Sequence, residues 1–443
     1  MYTVAPGTQV VERAIRRSLP DQITIALLGL GHVGSAVARF ALEPPSALDI
    51  SFRVSGALVR DITRPRATGD RVLLAAEGDT LVDQCPDVVI EVLGGLEPAR
   101  TLVLRALERG IPVVTANKSL LAEHGDELFA AAATSGVPLC YEAAVLAGVP
   151  FLGTFARRPL AASVSGFSGI VNGTTNFILT EMSGGRSYLD ALAEAQRRGY
   201  AEPDPSNDVL GVDAAQKLAV LLRHFARFSV QPRQIETTGI NRLSARDLRA
   251  AAALGAVIKP VATAAWTSDE VAAFTGPAFV PSSHVLARID GVQNGILLTG
   301  APGGDVLFAG PGAGPEATAA TILDDVVEAI EQRMTPRPRA REVNVRAVTL
   351  AAPLTGWFVR LTGPSLPSGS EVSDLLGAYG VWARRISEDD RHDGLVSRWF
   401  ITAPCSEGPL EASLAAIGAA ARCATFRIRA LPEARETQSQ TLT

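Results

Sequence analysis

Ile23-Thr24-Ile25-Ala26-Leu27-Leu28-Gly29-Leu30-Gly31-His32-Val33-Gly34-Ser35 is the stretch that decides the fold of the first part of this chain. Residues 23–30 form an apolar run bounded by Asp21 and by glycines, the pattern of a buried strand. Gly29 to Gly34 matches G-x-G-x-x-G and leads into a helical stretch, 35–42, that stops at Pro44-Pro45. A strand, a glycine turn and a helix in that order give the motif its mechanism. Gly29 permits the tight turn, Gly31 lets backbone approach a pyrophosphate, and Gly34 lets helix and strand pack closely. The helix N-terminus presents free N–H groups to phosphate. The bland alternative is a glycine-rich turn with no ligand.

Outward from this stretch, strand-like segments at 52–59, 88–92, 112–115 and 138–141 alternate with helix-like ones at 98–109 and 125–134, and Gly110 stands where a C-cap glycine belongs. Alternation of this kind predicts a parallel sheet covered on both faces, an α/β Rossmann-type dinucleotide-binding domain over 21–150. Near Val149-Pro150 the texture changes. Helical stretches 187–198 and 209–225 and strand-like 295–299 and 305–308 predict an α+β domain over 151–331, with part of 305–330 closing the first domain. An Arg- and Pro-rich segment, 332–345, reads as a linker. From 346 to 431 the order βαββαβ predicts a small ferredoxin-like unit. Residues 1–20 read as a polar extension and 432–443 as a polar tail.

Composition narrows the class. The chain has 443 residues, 47% hydrophobic and 20% charged, with a formal net charge of -5. Length suggests about three domains. Mild acidity argues against nucleic acid as a partner. No apolar run of about 18 residues predicts a membrane span, and the N-terminus lacks a signal core. The four cysteines are scattered without a C-x-x-C pair, so a cytoplasmic chain without zinc or disulfide is expected.

Residues able to do chemistry sit at strand ends and on one apolar helix. Lys118, in Thr115-Ala116-Asn117-Lys118, follows a strand of the parallel sheet, where open α/β sheets bind ligands. Taken alone it reads equally as a solvated lysine. Glu142 is a lone acid in apolar surroundings and needs a partner. The segment 169–176, with Asn172, Gly173 and Thr174, reads as a loop offering hydroxyls, amides and N–H groups, or as a turn plus helix cap. Glu202 and Asp208 precede a helix on which Asp213 and Lys217, four apart, share a face. The pair is either a surface ion pair or, because its helix is so apolar, the lining of a cavity. At the end of the second strand, Arg60 favours the 2′-phosphate of NADP, while adjacent Asp61 resembles the acid that holds the ribose of NAD.

Together these segments resemble the homoserine dehydrogenase family. Thr115–Lys118, Tyr141–Val149, Asn172–Asn176, Gly199–Leu218, His284–Val292 and Gly310–Gly314 occur in family order. The resemblance implies reduction of L-aspartate 4-semialdehyde to L-homoserine, and the reverse, in threonine and methionine biosynthesis. It makes Lys217 the catalytic lysine, with Asp213 beside it and Lys118 as a second active-site lysine that also meets the cofactor. Glu202, Asp208, Asn172, Gly173 and Thr174 become substrate-binding residues. Gly29, Gly31, His32, Val33, Gly34, Arg60, Gly312 and Gly314 become cofactor contacts, with NADP expected and NAD possible. Glu142 and the carbonyls of Val145, Ala147 and Val149 form a monovalent-cation site, usually sodium. The 346–431 unit resembles an ACT-type regulatory domain, with a possible amino-acid effector, and a homodimer or homotetramer is implied.

This chain departs from the family pattern at Pro315-Glu316-Ala317-Thr318, after the second glycine loop. It departs again at Pro367-Ser368-Gly369-Ser370-Glu371-Val372, where ACT-type units usually carry Gly-Val-Leu. No kinase-like segment precedes the dehydrogenase, so a monofunctional enzyme is expected. The rival readings are another amino-acid dehydrogenase on the same scaffold and a non-catalytic sensor of nucleotide and amino acid. Lysine is ordinarily charged at neutral pH, so Lys217 is ready to protonate an alkoxide.

Overall fold

The computed structural model describes residues 20–43, 50–66, 68–156, 164–300, 304–334, 349–351 and 354–432. The N-terminal extension up to residue 19, the linker beyond 334 and the tail beyond 432 lie outside the described residues. The chain forms two compact units. The described residues of one fall within 1–158, 219–231 and 313–346, and those of the other within 159–218, 232–312 and 347–443.

The first unit is built on β1 (Gln22–Leu28), β2 (Ser51–Leu58), β3 (Leu74–Ala75), β4 (Val88–Glu91), β5 (Val113–Thr115) and β6 (Leu139–Cys140). They pair in parallel in the order β3-β2-β1-β4-β5-β6. Both faces are covered, so the strands carry apolar runs rather than alternation. Ile23, Ile25, Leu27, Val88, Ile90 and Val114 are fully buried. Helix α1 (His32–Leu42) covers the sheet with Ala36, Val37, Ala38 and Ala41. The helix Pro315–Met334 adds Ala319, Ile322, Val326 and Ala329 to the same core.

The glycine turn takes the expected form. Gly29 has φ +114°, a left-handed conformation, and a Cβ on Gly34 would fall on the carbonyl oxygen of Gly29. Helix α1 starts at His32 rather than at residue 35, with Gly31 at its N-cap and no side-chain cap. Helix α2 (Lys118–Ser135) also starts earlier than the expected 125, because the Asn117 side chain accepts the Leu120 N–H at 3.1 Å.

The second unit carries one continuous sheet. Its strands are β7 (Gly166–Ile170), β8 (Glu236–Thr237), β9 (Ala256–Trp266), β10 (Glu270–Pro281), β11 (Gln293–Thr299), β12 (Val306–Pro311), β13 (Thr349–Leu350), β14 (Gly356–Gly363), β15 (Ala383–Ile386), β16 (Asp390–His392), β17 (Leu395–Thr402) and β18 (Ala424–Ala430). The order is β12-β11-β7-β9-β10-β18-β14-β17-β15, with β8 and β13 on β10 and β16 on β17. From β14 onward the chain runs βαββαβ, with helices Gly369–Gly377 and Glu407–Ala421 and the small extra strand β16. This part does not stand alone: β18 pairs with β10, and Phe358, Trp399, Phe426 and Ile428 share a core with Phe177, Leu248 and Phe279.

Three local readings are narrowed or changed. Of the two readings of 169–176, the turn plus helix cap holds, with Asn172 rather than a threonine as the cap: the segment ends β7 and starts helix α3 (Gly173–Ser183). The single helix expected over 209–225 is two, Ser206–Val209 and α4 (Val212–Ala226), parted at Gly211, whose φ of +85° stops the first. The long pair β9–β10 was not expected at all.

Gly34→Ala should lower the melting temperature by several degrees, because the new methyl must open the Gly29 turn at a cost of about 1–3 kcal/mol. An unchanged melting curve would show that the turn has slack.

Candidate active site

In the second unit, the carboxamide of Asn172 joins residues from three segments. Its Nδ2 donates to Asp208 at 2.7 Å and to Asp213 at 2.9 Å. Its Oδ1 accepts the Thr175 N–H at 2.8 Å, which caps α3. Asp213 Oδ2 lies 3.2 Å from Lys217 Nζ, and Lys217 donates to the Val171 carbonyl at 2.7 Å. Both side chains of this pair are about nine-tenths buried, at 11% and 10% exposure. The surface-pair reading of Asp213 and Lys217 therefore falls. A buried ammonium held on two sides by acceptors is placed to meet a developing negative charge.

The neighbours are arranged around this network. A Cβ on Gly173 would stand 2.7 Å from the Val292 carbonyl oxygen, so only glycine fits there. Thr174 donates its hydroxyl to the Tyr200 carbonyl at 2.7 Å. Glu202 is not drawn in: its side chain is exposed and has no hydrogen bond or ion pair among the described residues. Gly312 is packed on the Asn294 carboxamide, which occupies the space a Cβ would need.

In the first unit the glycine turn leaves its backbone open. Nothing lies within 4 Å of where a Gly31 Cβ would be, and the uncapped start of α1 lies beside it. That open backbone fits a pyrophosphate, as free helix N–H groups require an acceptor. His32 and Val33 are the first residues of α1. Arg60 is exposed at the end of β2 and has no partner among the described residues, whereas the Asp61 carboxylate is turned onto the Thr63 N–H at 2.8 Å and the Thr63 hydroxyl. Arg66, which the sequence did not single out, donates to the Leu30 carbonyl inside the glycine loop at 3.2 Å, and its Nε is buried without a partner. Gly314 has φ +133° and open space where a side chain would be.

Lys118 is half-buried as the first residue of α2. The turn that leads into it is tied down by Glu91, a residue the sequence reading missed. Glu91 is fully buried and accepts the Thr115 hydroxyl at 2.5 Å, the Asn117 amide at 3.3 Å and the Leu93 N–H at 2.9 Å. Burial pushes its carboxyl above the ordinary range despite these bonds.

Glu142 is also buried. Its carboxylate accepts the N–H groups of Phe151, Leu152 and Gly153 at 2.9, 2.9 and 2.7 Å. Its own N–H donates to Asp325 at 3.0 Å. Burial, with Glu328 nearby, raises the Glu142 carboxyl; burial, with Glu142 and Glu328, raises that of Asp325 further. Neither Glu142 nor Asp325 has an ion pair among the described residues. Acids crowded in this way fit a monovalent cation. No group of three or more His, Cys, Asp or Glu side chains among the described residues is placed to hold a metal ion. Of the carbonyls expected there, that of Ala147 already accepts the Thr321 hydroxyl.

A family model described as "Homoserine dehydrogenase, NAD binding domain" matches residues 29–142, and one described as "Homoserine dehydrogenase" matches 150–327. The homoserine dehydrogenase of Pseudomonas aeruginosa is 34% identical over 417 residues, covering 90% of this chain and 95% of that one. The chain belongs to the homoserine dehydrogenase family. That of Corynebacterium glutamicum is 40% identical over 388 residues, covering 84% and 87%. The crystal structure of a homoserine dehydrogenase from Thiobacillus denitrificans superposes with a TM-score of 0.84 at 32% identity over 93% of this chain and 98% of that one. A hyperthermophilic archaeal homoserine dehydrogenase in complex with NADPH gives 0.60 at 27% identity, over 70% and 98%. The enzyme is an NAD(P)-dependent oxidoreductase, and the rival reading as a non-catalytic sensor is set aside. No helix among the described residues is long and apolar enough to cross a membrane.

Glu91 makes a pH test possible. Its folded pKa is raised, so its contribution to stability is present below the ordinary carboxylate range and lost as pH rises through the raised value. As pH rises above the ordinary carboxylate range, about 4, denaturant midpoints of the parent enzyme should fall relative to those of Glu91→Gln, which cannot ionise. Parallel curves would mean that Glu91 titrates as an exposed acid does.

Proposed function

We propose that the enzyme reduces L-aspartate 4-semialdehyde to L-homoserine with Lys217 as the proton donor. The observation that carries this is the buried Lys217–Asp213–Asn172–Asp208 network. When bound, the reduced nicotinamide supplies the hydride. Lys217, oriented by Asp213 and the Val171 carbonyl, stabilises the alkoxide that forms and protonates it. Asp208 and the exposed Glu202 hold the substrate ammonium, and Gly173 and Thr174 line the same pocket. Lys118 serves the nicotinamide end, fixed through Asn117 and Glu91.

Gly29, Gly31, His32, Val33, Gly34, Gly312 and Gly314 are the dinucleotide contacts. NADP is the preferred cofactor: Arg60 has no partner among the described residues and Asp61 is occupied by Thr63, a combination that favours a 2′-phosphate. Glu142, with the carbonyls of Val145, Ala147 and Val149, holds sodium, whose charge offsets the crowded acids. The βαββαβ part is an ACT-like unit, and the enzyme works as a homodimer or homotetramer in the cytoplasm, in threonine and methionine biosynthesis.

Homoserine oxidation by the purified enzyme, with NADP and NAD in parallel and sodium present, tests this reading. Lys217→Ala should cost at least about a hundredfold in kcat. Arg60→Ala should shrink the preference for NADP. A variant Lys217→Ala that still turns over at the parent rate contradicts the assignment.

A further inference from the structure

We propose that a second cavity in the same unit binds a small oxyanion, carried by a carboxylate or a phosphate, and that its occupation alters the substrate pocket. The cavity measures about 260 Å3, and its lining includes Glu236, Arg242, Trp357, Glu407, Arg427 and Arg429. That is room for roughly eight waters or a small organic anion. It lies between β8 and β10 on one side and β18 with the helix Glu407–Ala421 on the other. None of its lining residues belongs to 367–372, where the family resemblance puts effectors.

Its hydrogen-bonding balance points to a missing acceptor. The acids in the lining are already matched. Arg429 grips Glu236, with Nε 3.2 Å from Oε1, while its guanidinium stands over the rings of Trp357 and Phe274 at 4.8 and 5.3 Å. Arg427 is paired with Glu407 at 2.5 Å and with Glu411 at 2.6 Å. Arg242 is the surplus cation. It is exposed, stands 5.5 Å from the centre of the Phe426 ring, and has no carboxylate within ion-pair reach among the described residues. Trp357, 3% exposed, has its indole N–H without an acceptor. The unmatched cation of the lining, Arg242, is a donor, and the lining carries three arginines against two glutamates. An oxyanion in the cavity meets a planar guanidinium able to bind it in bidentate fashion.

The coupling follows from a shared wall. Thr238 lines this cavity and also a smaller one, about 20 Å3, lined by Asn172, Asp208 and Gly211. On β10, Phe274 and Pro277 face the larger cavity, and Thr275 and Gly276 the smaller. The wall has no slack: Thr238 N–H donates to the Thr275 carbonyl at 2.9 Å, and a Cβ on Gly276 would stand 2.8 Å from the Thr238 carbonyl oxygen. An anion that draws Arg429 from Glu236 releases the end of this wall beside Asp208. This last step rests on Asp208 and Asn172 being the substrate pocket.

The test uses the full chain saturated with NADP, titrated calorimetrically with inorganic phosphate and, separately, with succinate at matched ionic strength. One of the two should bind in the millimolar range or tighter, and Arg242→Gln, an exposed change, should weaken it at least about tenfold. The better ion identifies the source of the oxyanion. At saturation it should change KM for homoserine at least about twofold in the parent enzyme and leave the variant unmoved. No binding of either ion, or equal binding to the variant with an unchanged melting temperature, overturns the site. Binding that Arg242→Gln removes, without any effect on KM, overturns the coupling. Calorimetry needs no turnover, so a failure of the proposed reaction leaves the binding result decisive.

Discussion

The carboxamide of Asn172 stands between two carboxylates, and the site takes its shape from that contact. Asp208 and Asp213 would repel one another in a half-buried pocket; two N–H bonds from one side chain hold them together. The same side chain starts α3, so the turn after β7 is fixed by the group that fixes the acids. Val171, the preceding residue, receives Lys217. Helix start, acid pair and lysine are thus seated on consecutive residues, and Gly173 follows because no side chain fits against the Val292 carbonyl.

Local signals in the sequence were legible where the chemistry is local. The glycine turn declares itself because φ and packing demand glycine at fixed spacing, and Asp213 and Lys217 are readable as a pair because four residues make one helical turn. Glu91 was not legible. It sits in an apolar strand, and its partners Thr115 and Asn117 lie 24 and 26 residues away. The link from Asn172 to Asp213 spans 41 residues and was equally hidden. Strands β9 and β10 escaped notice because Ala, Gly and Pro blur the alternation, with Pro260 paired opposite Pro277. Gly211 looked like part of a helix, and only its positive φ shows it as a break.

Sequence texture also suggested that the βαββαβ part is a separate domain. The structure joins it to the middle region through strand pairing, a shared core and a buried acid. Asp247, fully buried, caps its own helix at Ser244, pairs with Arg360 at 2.5 Å and accepts the Trp399 indole N–H at 2.8 Å. Removing such a charge's partners is costly in a dry core. The arrangement makes these strands part of the second unit's sheet rather than an appendage.

If the Asn172 network acts as one device, its members must not contribute independently. The direct measurement is a double-mutant cycle on kcat/KM for homoserine with Asn172→Ala, Lys217→Ala and the pair together. The account predicts strong non-additivity, with the double variant hardly worse than Lys217→Ala alone. Independent losses that simply add would show that Asn172 and Lys217 do not act through one network, and would contradict the central claim.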